Sequence, residues 1–212
     1  MEGQLIIFEG IEGGGKSSQL ELTEQWLLAG GLGKTFEVIT TREPGGTDVG
    51  KKLRSLLLND YYLDLDPRSE LLLYAADRAQ HVQEVLKPHL AQGKIVLCDR
   101  FIDSTTAYQG YGRGLDLKLI HQLNAIAADG LESNLTLWLD VAVETGLERV
   151  KQRGKRDRLD LADIAFHQRV REGYVSLAQQ FPQRIVRIDA NGTTEQVQAQ
   201  IQRVLFASYC NS

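Results

Sequence analysis

Residues 10–17 read Gly10-Ile11-Glu12-Gly13-Gly14-Gly15-Lys16-Ser17, two glycines five apart followed by lysine and serine. Small residues at this spacing let successive backbone N–H groups turn inward and form an anion-binding concavity. A helix opening at once adds its N-terminal dipole. Lys16 supplies a mobile positive charge for the β- and γ-phosphates of a nucleoside triphosphate, and the Ser17 hydroxyl can ligate Mg²⁺. A second pair, Asp99-Arg100, follows the apolar run Ile95-Val96-Leu97-Cys98. Its carboxylate belongs near the metal beside Ser17, and its guanidinium faces the opposite side, where it suits the phosphate of an acceptor.

More basic residues stand among turn and helix signals. Thr41-Arg42-Glu43-Pro44-Gly45-Gly46-Thr47 reads as a loop, and Arg54 falls one or two turns into the next helix. Tyr74 and Arg78 are four apart and share a helix face. Arg149, Arg153, Lys155, Arg156 and Arg158 crowd a stretch that contains Gly154. Each alone is an ordinary solvated charge. Together, near one end of the elements described next, they form a candidate anion site.

Five short apolar runs must carry these groups: Leu5–Phe8, Phe36–Ile39, Ile95–Cys98, Leu135–Leu139 and Ile185–Ile188. Most are continuous rather than alternating, as expected of strands buried on both faces of a parallel sheet. Helical spacing fills the intervals at Ser17–Leu28, Asp66 to about Leu86 before Pro88, Leu117–Ala128, Val143–Gln152, Ile164–Gln180 and Thr194–Phe206. Alternating strands and helices predict an α/β fold with right-handed crossovers. Ligands then collect at the carboxyl ends of the strands. Glu9, Asp99, Asp140 and Asp189 stand at such ends, although for Asp140 and Asp189 capping of the next helix competes with a ligand role.

The 212 residues suit one domain, 1–212, with no repeat or linker. Lys plus Arg total 24 and Asp plus Glu 28, a net charge of −4. That balance gives no whole-molecule attraction to nucleic acid or anionic membrane, so anions must be held by a local cluster. Cys98 and Cys210 make no disulfide framework, and no run approaches the length of a membrane span. A cytoplasmic protein without nucleic-acid or membrane partners is expected. No Asn/Thr-Lys-x-Asp guanine motif follows Asp140, as a GTPase would require, and the third run lacks the Asp-Glu of a translocating ATPase.

The segment Asp99-Arg100-Phe101-Ile102-Asp103-Ser104-Thr105-Thr106-Ala107-Tyr108-Gln109 resembles the signature of thymidylate kinases. Phe8 to Ser17, Thr41 to Thr47 and Tyr74-Ala75-Ala76-Asp77-Arg78 resemble the same family, at its usual spacing and across nearly the whole chain. The resemblance implies a three-layer P-loop kinase fold, a five-stranded mostly parallel sheet flanked by helices with a short mobile lid at about 149–162. It implies transfer of the ATP γ-phosphoryl group to dTMP, with Mg²⁺, toward dTTP synthesis, and a homodimer.

It also implies roles. Tyr74 would stack on thymine, Arg78 would donate to a thymine carbonyl, and Thr105 and Gln109 would complete base recognition. Arg54 and Arg100 would hold the acceptor phosphate by charge-assisted forks. Tyr108 would crowd the sugar C2′, Glu12 would approach the acceptor's 3′-hydroxyl and phosphate side, and Glu43 would lie close to the metal or acceptor, before a Pro44 that can take a cis bond. Chemistry supports two of these, since arginine can only donate and so selects a carbonyl at pyrimidine C4. Exclusion of ribose, likewise, needs the bulk of a ring. The phosphate loop contains no arginine, so the family's alternative arrangement, an arginine in the lid, is expected. Arg153 is the first candidate for contact with the transferring phosphoryl, with Arg149 or Arg158 next; Arg149 and Arg153 also join the ATP-binding set. Asp189 to Gly192 would border adenine, or else precede a helix capped at Thr193 or Thr194. Gly110, Gly112 and Gly114 would free the segment after the signature. A deoxynucleoside kinase and a nucleotide-binding regulatory module remain as alternatives that substrate turnover would separate.

Overall fold

The computed structural model describes residues 3–33, 35–59, 65–154, 158–159 and 162–210. Lys155, Arg156 and Asp157, together with Asp160 and Leu161 of the expected lid, lie outside them. The strands are β1 Gln4–Glu9, β2 Val38–Arg42, β3 Ile95–Asp99, β4 Leu135–Asp140 and β5 Ile185–Asp189. All pairings among them are parallel, in the order β2-β3-β1-β4-β5. The α-helices among the described residues are α1 Lys16–Leu28, α2 Asp48–Arg54, α3 Pro67–His81, α4 Lys87–Ala91, α5 Ile102–Thr105, α6 Leu117–Ala128, α7 Val143–Arg153, α8 Ile164–Gln180 and α9 Thr194–Cys210.

Period-2 alternation sorts the strand side chains into two cores. Leu5, Ile7, Val96 and Cys98 meet Val82, Leu86 and Ala128 on one face. Ile6, Phe8, Ile95 and Leu97 belong to the larger core with Leu20 and Leu27 of α1 and Ile201 and Leu205 of α9. The sheet is therefore the middle of three layers. β1 lies between β3 and β4, so the loop after β1 opens at the point where strand order reverses, the usual ligand crevice of open α/β sheets.

Four local differences from the sequence expectation have physical causes. The second strand is Val38–Arg42 rather than Phe36–Ile39, so Thr41 and Arg42 belong to the sheet and not to a loop. This strand is an edge, half exposed, and its β-branched Thr40 and Thr41 pair with Leu97 and Cys98 without a continuous apolar run to mark them. Second, the helical stretch from Asp66 does not stop before Pro88. A π-helical turn, Val82–Leu86, joins α3 to α4, and Pro88 falls in the first turn of α4, where a missing N–H costs little.

Third, residues 102–112 are helical, as α5 followed by a π-helical turn Thr106–Gly112. Gly110 and Gly112 do not free this segment: a Cβ there would lie 2.5 Å from Leu117 Cδ2 and 2.7 Å from Phe166 Cε2, so close packing requires them. Fourth, Asp140 caps no helix. It is buried and accepts from Arg171 Nε and Nη2 and from Arg187 Nε, while the residue before α7, Ala142, offers no side-chain cap. Thr193 does cap α9, exchanging hydrogen bonds with Gln196 in a capping box.

Candidate active site

A cleft of about 400 Å³ opens at the carboxyl ends of β1, β2 and β3. Its walls include Lys16, Arg42, Arg54, Arg78, Arg100, Arg149 and Arg153, so the acidic chain gathers its cations where anions would bind.

Residues 10–15 link β1 to α1. Gly13, with φ +71°, lets this loop approach α7 so closely that a Cβ would lie 2.1 Å from Gly146 O. Glu12, Gly13, Gly15, Lys16 and Ser17 line the cleft; Gly10, Ile11 and Gly14 build the loop behind them. Lys16 Nζ donates to Gly10 O (3.0 Å) and Ile11 O (2.9 Å), folded back along the loop. Burial and the neighbouring Arg100 push its ammonium down to about 8, against the pull of Asp99, Glu12 and Glu9. Phosphates arriving in the loop would push it back up.

At the metal end the two expected residues meet: Ser17 Oγ donates to Asp99 Oδ2 at 3.0 Å. Asp99 Oδ1 is buried with no hydrogen-bond partner among the described residues. A hydroxyl and a carboxylate with a spare oxygen are hard donors that suit Mg²⁺, which keeps its remaining positions for water and phosphate oxygens.

Arg100 stands between this end and the acceptor pocket, at φ +74°. That backbone region costs a non-glycine residue about 1–3 kcal/mol, which its surroundings must over-determine. They do so with four side chains. Nη2 donates to Glu12 Oε1 (2.8 Å) and Tyr108 OH (2.9 Å), and Nη1 to Ser104 Oγ (3.0 Å) and Tyr174 OH (3.4 Å). The guanidinium lies 4.7 Å from the Tyr108 ring centroid. Tyr108 OH in turn donates to Glu12 Oε1 at 2.6 Å. Burial alone would raise the Glu12 carboxyl, but Arg100, with His167, Lys16 and Tyr108, holds it well below the usual carboxylate range. Glu9, behind Arg100, accepts from Phe101 N, Ser104 N, Ser104 Oγ and Tyr174 OH; burial, and next Asp103, pushes its carboxyl up.

Tyr74, Arg78, Thr105 and Gln109 all reach the cleft. Arg78 is buried and spends three of its N–H groups inside the protein, on Glu43 Oε2 (2.8 Å), Asn124 Oδ1 (2.8 Å) and Phe101 O (3.0 Å). A guanidinium has five, so two remain for a ligand. Gln109 Nε2 is committed to Glu70 Oε1 at 2.8 Å. Arg54 Nη1 donates to Pro44 O at 2.8 Å, which holds the side chain along the loop at the cleft wall.

Two candidates carry other bonds in this structure. Glu43 lines the cleft, and its oxygens also brace Arg78 and His81 (2.8 Å each). The Glu43–Pro44 peptide is cis. Arg158 is turned away from the phosphate loop, bonded to the buried Glu70 carboxylate and to Leu57 O at 2.9 Å. The other two arginines fit better. Arg149 Nη1 donates to Gly13 O (3.3 Å) and Ala190 O (3.0 Å), joining the phosphate loop to the loop after β5, and Arg153 is exposed at the end of α7 on the cleft wall.

Sequence reasoning missed Ser104 and Tyr174 as anchors of Arg100, His167 with its Nδ1 3.5 Å from Glu12 Oε2, and the pair His81–Asn124 around Arg78. All but Ser104, which lies inside the signature segment, stand alone in the sequence without a motif.

The thymidylate kinase family model matches residues 8–201. A thymidylate kinase of Trichodesmium erythraeum is 56% identical, over 97% of this chain and 96% of its own length. One from a Cyanothece species is 55% identical, over 97% and 94%. The crystal structure of thymidylate kinase from Ehrlichia chaffeensis superposes with a TM-score of 0.76 at 37% identity, covering 97% of this chain and 99% of that one. A model spanning nearly the whole fold, and relatives that share more than half their residues over nearly their whole lengths, establish that this chain belongs to the thymidylate kinase family.

Proposed function

We propose that the chain, as one domain over 1–212 with a lid at about 149–162, transfers the γ-phosphoryl group of ATP to dTMP and yields dTDP and ADP. An oxygen of the dTMP phosphate attacks the γ-phosphorus, and the bond from that phosphorus to the β,γ-bridging oxygen breaks. The acceptor phosphate is largely dianionic at neutral pH, so no separate base is needed, and catalysis rests on alignment and charge neutralisation. Lys16 and the loop N–H groups hold the donor phosphates, Arg54 and Arg100 the acceptor phosphate. Tyr74, Arg78, Thr105 and Gln109 take thymine, and Tyr108 shields the sugar. Ser17 and Asp99 would hold Mg²⁺, which when bound neutralises β- and γ-oxygens. Arg153, with Arg149 beside the donor, completes the charge around the moving group, and a closed lid excludes water.

One observation carries this reading: Arg100 is fixed by Glu12 of the phosphate loop and by Tyr108 of the acceptor wall, so a single cation joins the two halves of the cleft. A coupled ADP-release assay across dTMP, dUMP, dCMP, dGMP and thymidine tests it. The highest kcat/KM is expected for dTMP; best turnover of thymidine would replace the reading with a deoxynucleoside kinase, and no turnover of any would leave a binding module.

The assembly proposed is a homodimer in the cytoplasm. Val49, Leu72 and Ile126 are exposed apolar side chains on α2, α3 and α6, helices that pack together. Sedimentation at micromolar concentration should give twice the chain mass. No helix among the described residues is long and apolar enough to cross a membrane.

A further inference from the structure

His81 takes no part in the cleft wall, yet it is fully buried and bonded at both ring nitrogens. Its Nδ1 lies 2.8 Å from Glu43 Oε1 and its Nε2 lies 2.7 Å from Thr41 Oγ1. The other oxygen of Glu43 accepts from Arg78 Nε at 2.8 Å. Arg78 and His81 are three apart on α3, so one helix face presents both to one carboxylate. Thr41 is in β2, and Glu43 N donates to Asp99 O of β3, so the far end of this chain of bonds is anchored in the sheet. The backbone closes over the ring as well, since a Cβ on Gly46 would lie 2.4 Å from His81 Cδ2.

Nδ1 must carry the proton that faces the carboxylate, and in the neutral ring Nε2 then accepts from the Thr41 hydroxyl. Without the Nδ1 donor, Glu43 Oε1 is a buried acceptor with nothing to hold it, and the carboxylate is free to rotate about its bond to Arg78. Arg78 has fixed partners at Asn124 and Phe101 O, and Glu43 alone engages Nε, whose N–H shares one edge of the planar fork with Nη2 and so fixes the tilt of that fork. The direction of the two remaining N–H groups into the cleft depends on that edge.

We propose that His81 is a positioning residue which, through Glu43, aims Arg78 at the pyrimidine and so sets the preference for a carbonyl over an amino group at C4. The proposal rests on the dTMP kinase reading above. Its consequence is selective: the Thr41–His81–Glu43 relay acts on acceptor recognition and leaves the ATP side alone.

The experiment compares wild type, His81→Phe, His81→Asn and Thr41→Val by steady-state kinetics with dTMP and ATP, with dCMP as a competitive inhibitor. His81→Phe should raise KM for dTMP by about tenfold, with kcat within about threefold and KM for ATP within about twofold of wild type. Ki for dCMP should hardly move, so the ratio of dCMP Ki to dTMP KM narrows. In His81→Asn the side-chain amide can donate from near the Nδ1 position, which should return KM for dTMP to within about threefold of wild type. Thr41→Val, which only loosens the ring, should shift the same two quantities in the same direction by a smaller factor. Unchanged dTMP KM and dCMP ratio in His81→Phe would overturn the proposal, as would a fall in kcat with both KM values rising together and no recovery in His81→Asn. If His81→Phe does not fold, Thr41→Val decides by the same two readouts. Wild-type protein that prefers thymidine to dTMP fails at the earlier step and removes the reading on which the relay depends.

Discussion

Replacement of Tyr108 by phenylalanine separates two things that one side chain is expected to do. The hydroxyl accepts from Arg100 Nη2 at 2.9 Å and donates to Glu12 Oε1 at 2.6 Å. Hydrogen bonds to charged groups are worth about 1.5–3 kcal/mol each, and two are removed. The direct Arg100–Glu12 bond at 2.8 Å remains, and water in the cleft can reach the vacated position. The net loss of alignment should then be about 1–2 kcal/mol. At 1.36 kcal/mol per factor of ten, kcat/KM for dTMP should fall about 5–30-fold. The ring itself stays, edge-on to Phe166 and Tyr174 at centroid distances of 6.2 and 6.5 Å, so bulk beside the sugar is retained. The assay is coupled ADP release with dTMP and with its 2′-hydroxylated counterpart, for wild type, Tyr108→Phe and Tyr108→Ala. Tyr108→Phe should lose rate on both acceptors equally, whereas Tyr108→Ala should also lose the preference for deoxyribose. The reasoning is refuted if Tyr108→Phe stays within about twofold of wild type, or if it relaxes sugar preference as far as alanine does.

Arg153→Ala should lower kcat for dTMP by more than about threefold with little change in KM; a smaller effect would remove Arg153 from the transition state and leave Arg149 as the candidate. Gly13→Ala places a Cβ 2.1 Å from Gly146 O at a φ of +71°, and left-handed backbone alone costs about 1–2 kcal/mol. A lower melting temperature and weakened ATP binding are expected, and a thermal scan that matches wild type with unchanged KM for ATP would contradict the packing described. Burial, and next the charge of Glu43, pushes the Asp77 carboxyl up to about 6 from its ordinary 3.8. A raised carboxyl stabilises the fold fully only below its unfolded value, and that contribution is lost as pH rises through about 6. Asp77→Asn keeps the oxygen that accepts from Gly45 N and should therefore gain at pH 8, by about 1–2 kcal/mol after solvent screening, with the gain shrinking toward pH 4. Equal melting-temperature differences at pH 4 and pH 8 would show that Asp77 is not destabilised by its charge.

The phosphate loop was legible from residue types alone because its chemistry uses the backbone. A phosphate loop needs glycine at set positions, and Gly10, Gly13 and Gly15 all have positive φ. Asp99-Arg100 was legible because it ends a buried strand. The edge strand β2 was misplaced because half its side chains face solvent and the apolar run that marks the inner strands is missing. Tyr174, His167 and His81 were not legible as supports at all. Tyr174 is 165 residues from Glu9 and 74 from Arg100, and His81 is 38 from Glu43. Nothing in a lone tyrosine or histidine announces a partner that distant; the register of the strands and the crossing of α3 and α8 over them create the pairs.

That supporting set also explains how a chain of net charge −4 can present a cationic cleft. The carboxylates are not spread against the cleft arginines but placed behind them: Glu12 under Arg100 and Glu43 under Arg78. Each of these acids is buried or nearly so; Arg78 keeps two N–H groups over, and Arg100 its Nε–H. The cost of orienting a long side chain is then met when the protein folds and not when the nucleotide binds, which favours rate over mere affinity. Glu12 shows the limit of the scheme. It shares Arg100 Nη2 with Tyr108, so a dianionic phosphate that approaches this guanidinium must compete with a carboxylate already there. A ligand able to win that competition needs a second cation on its far side, and Lys16, Arg54 and Arg153 line the same cleft to supply it.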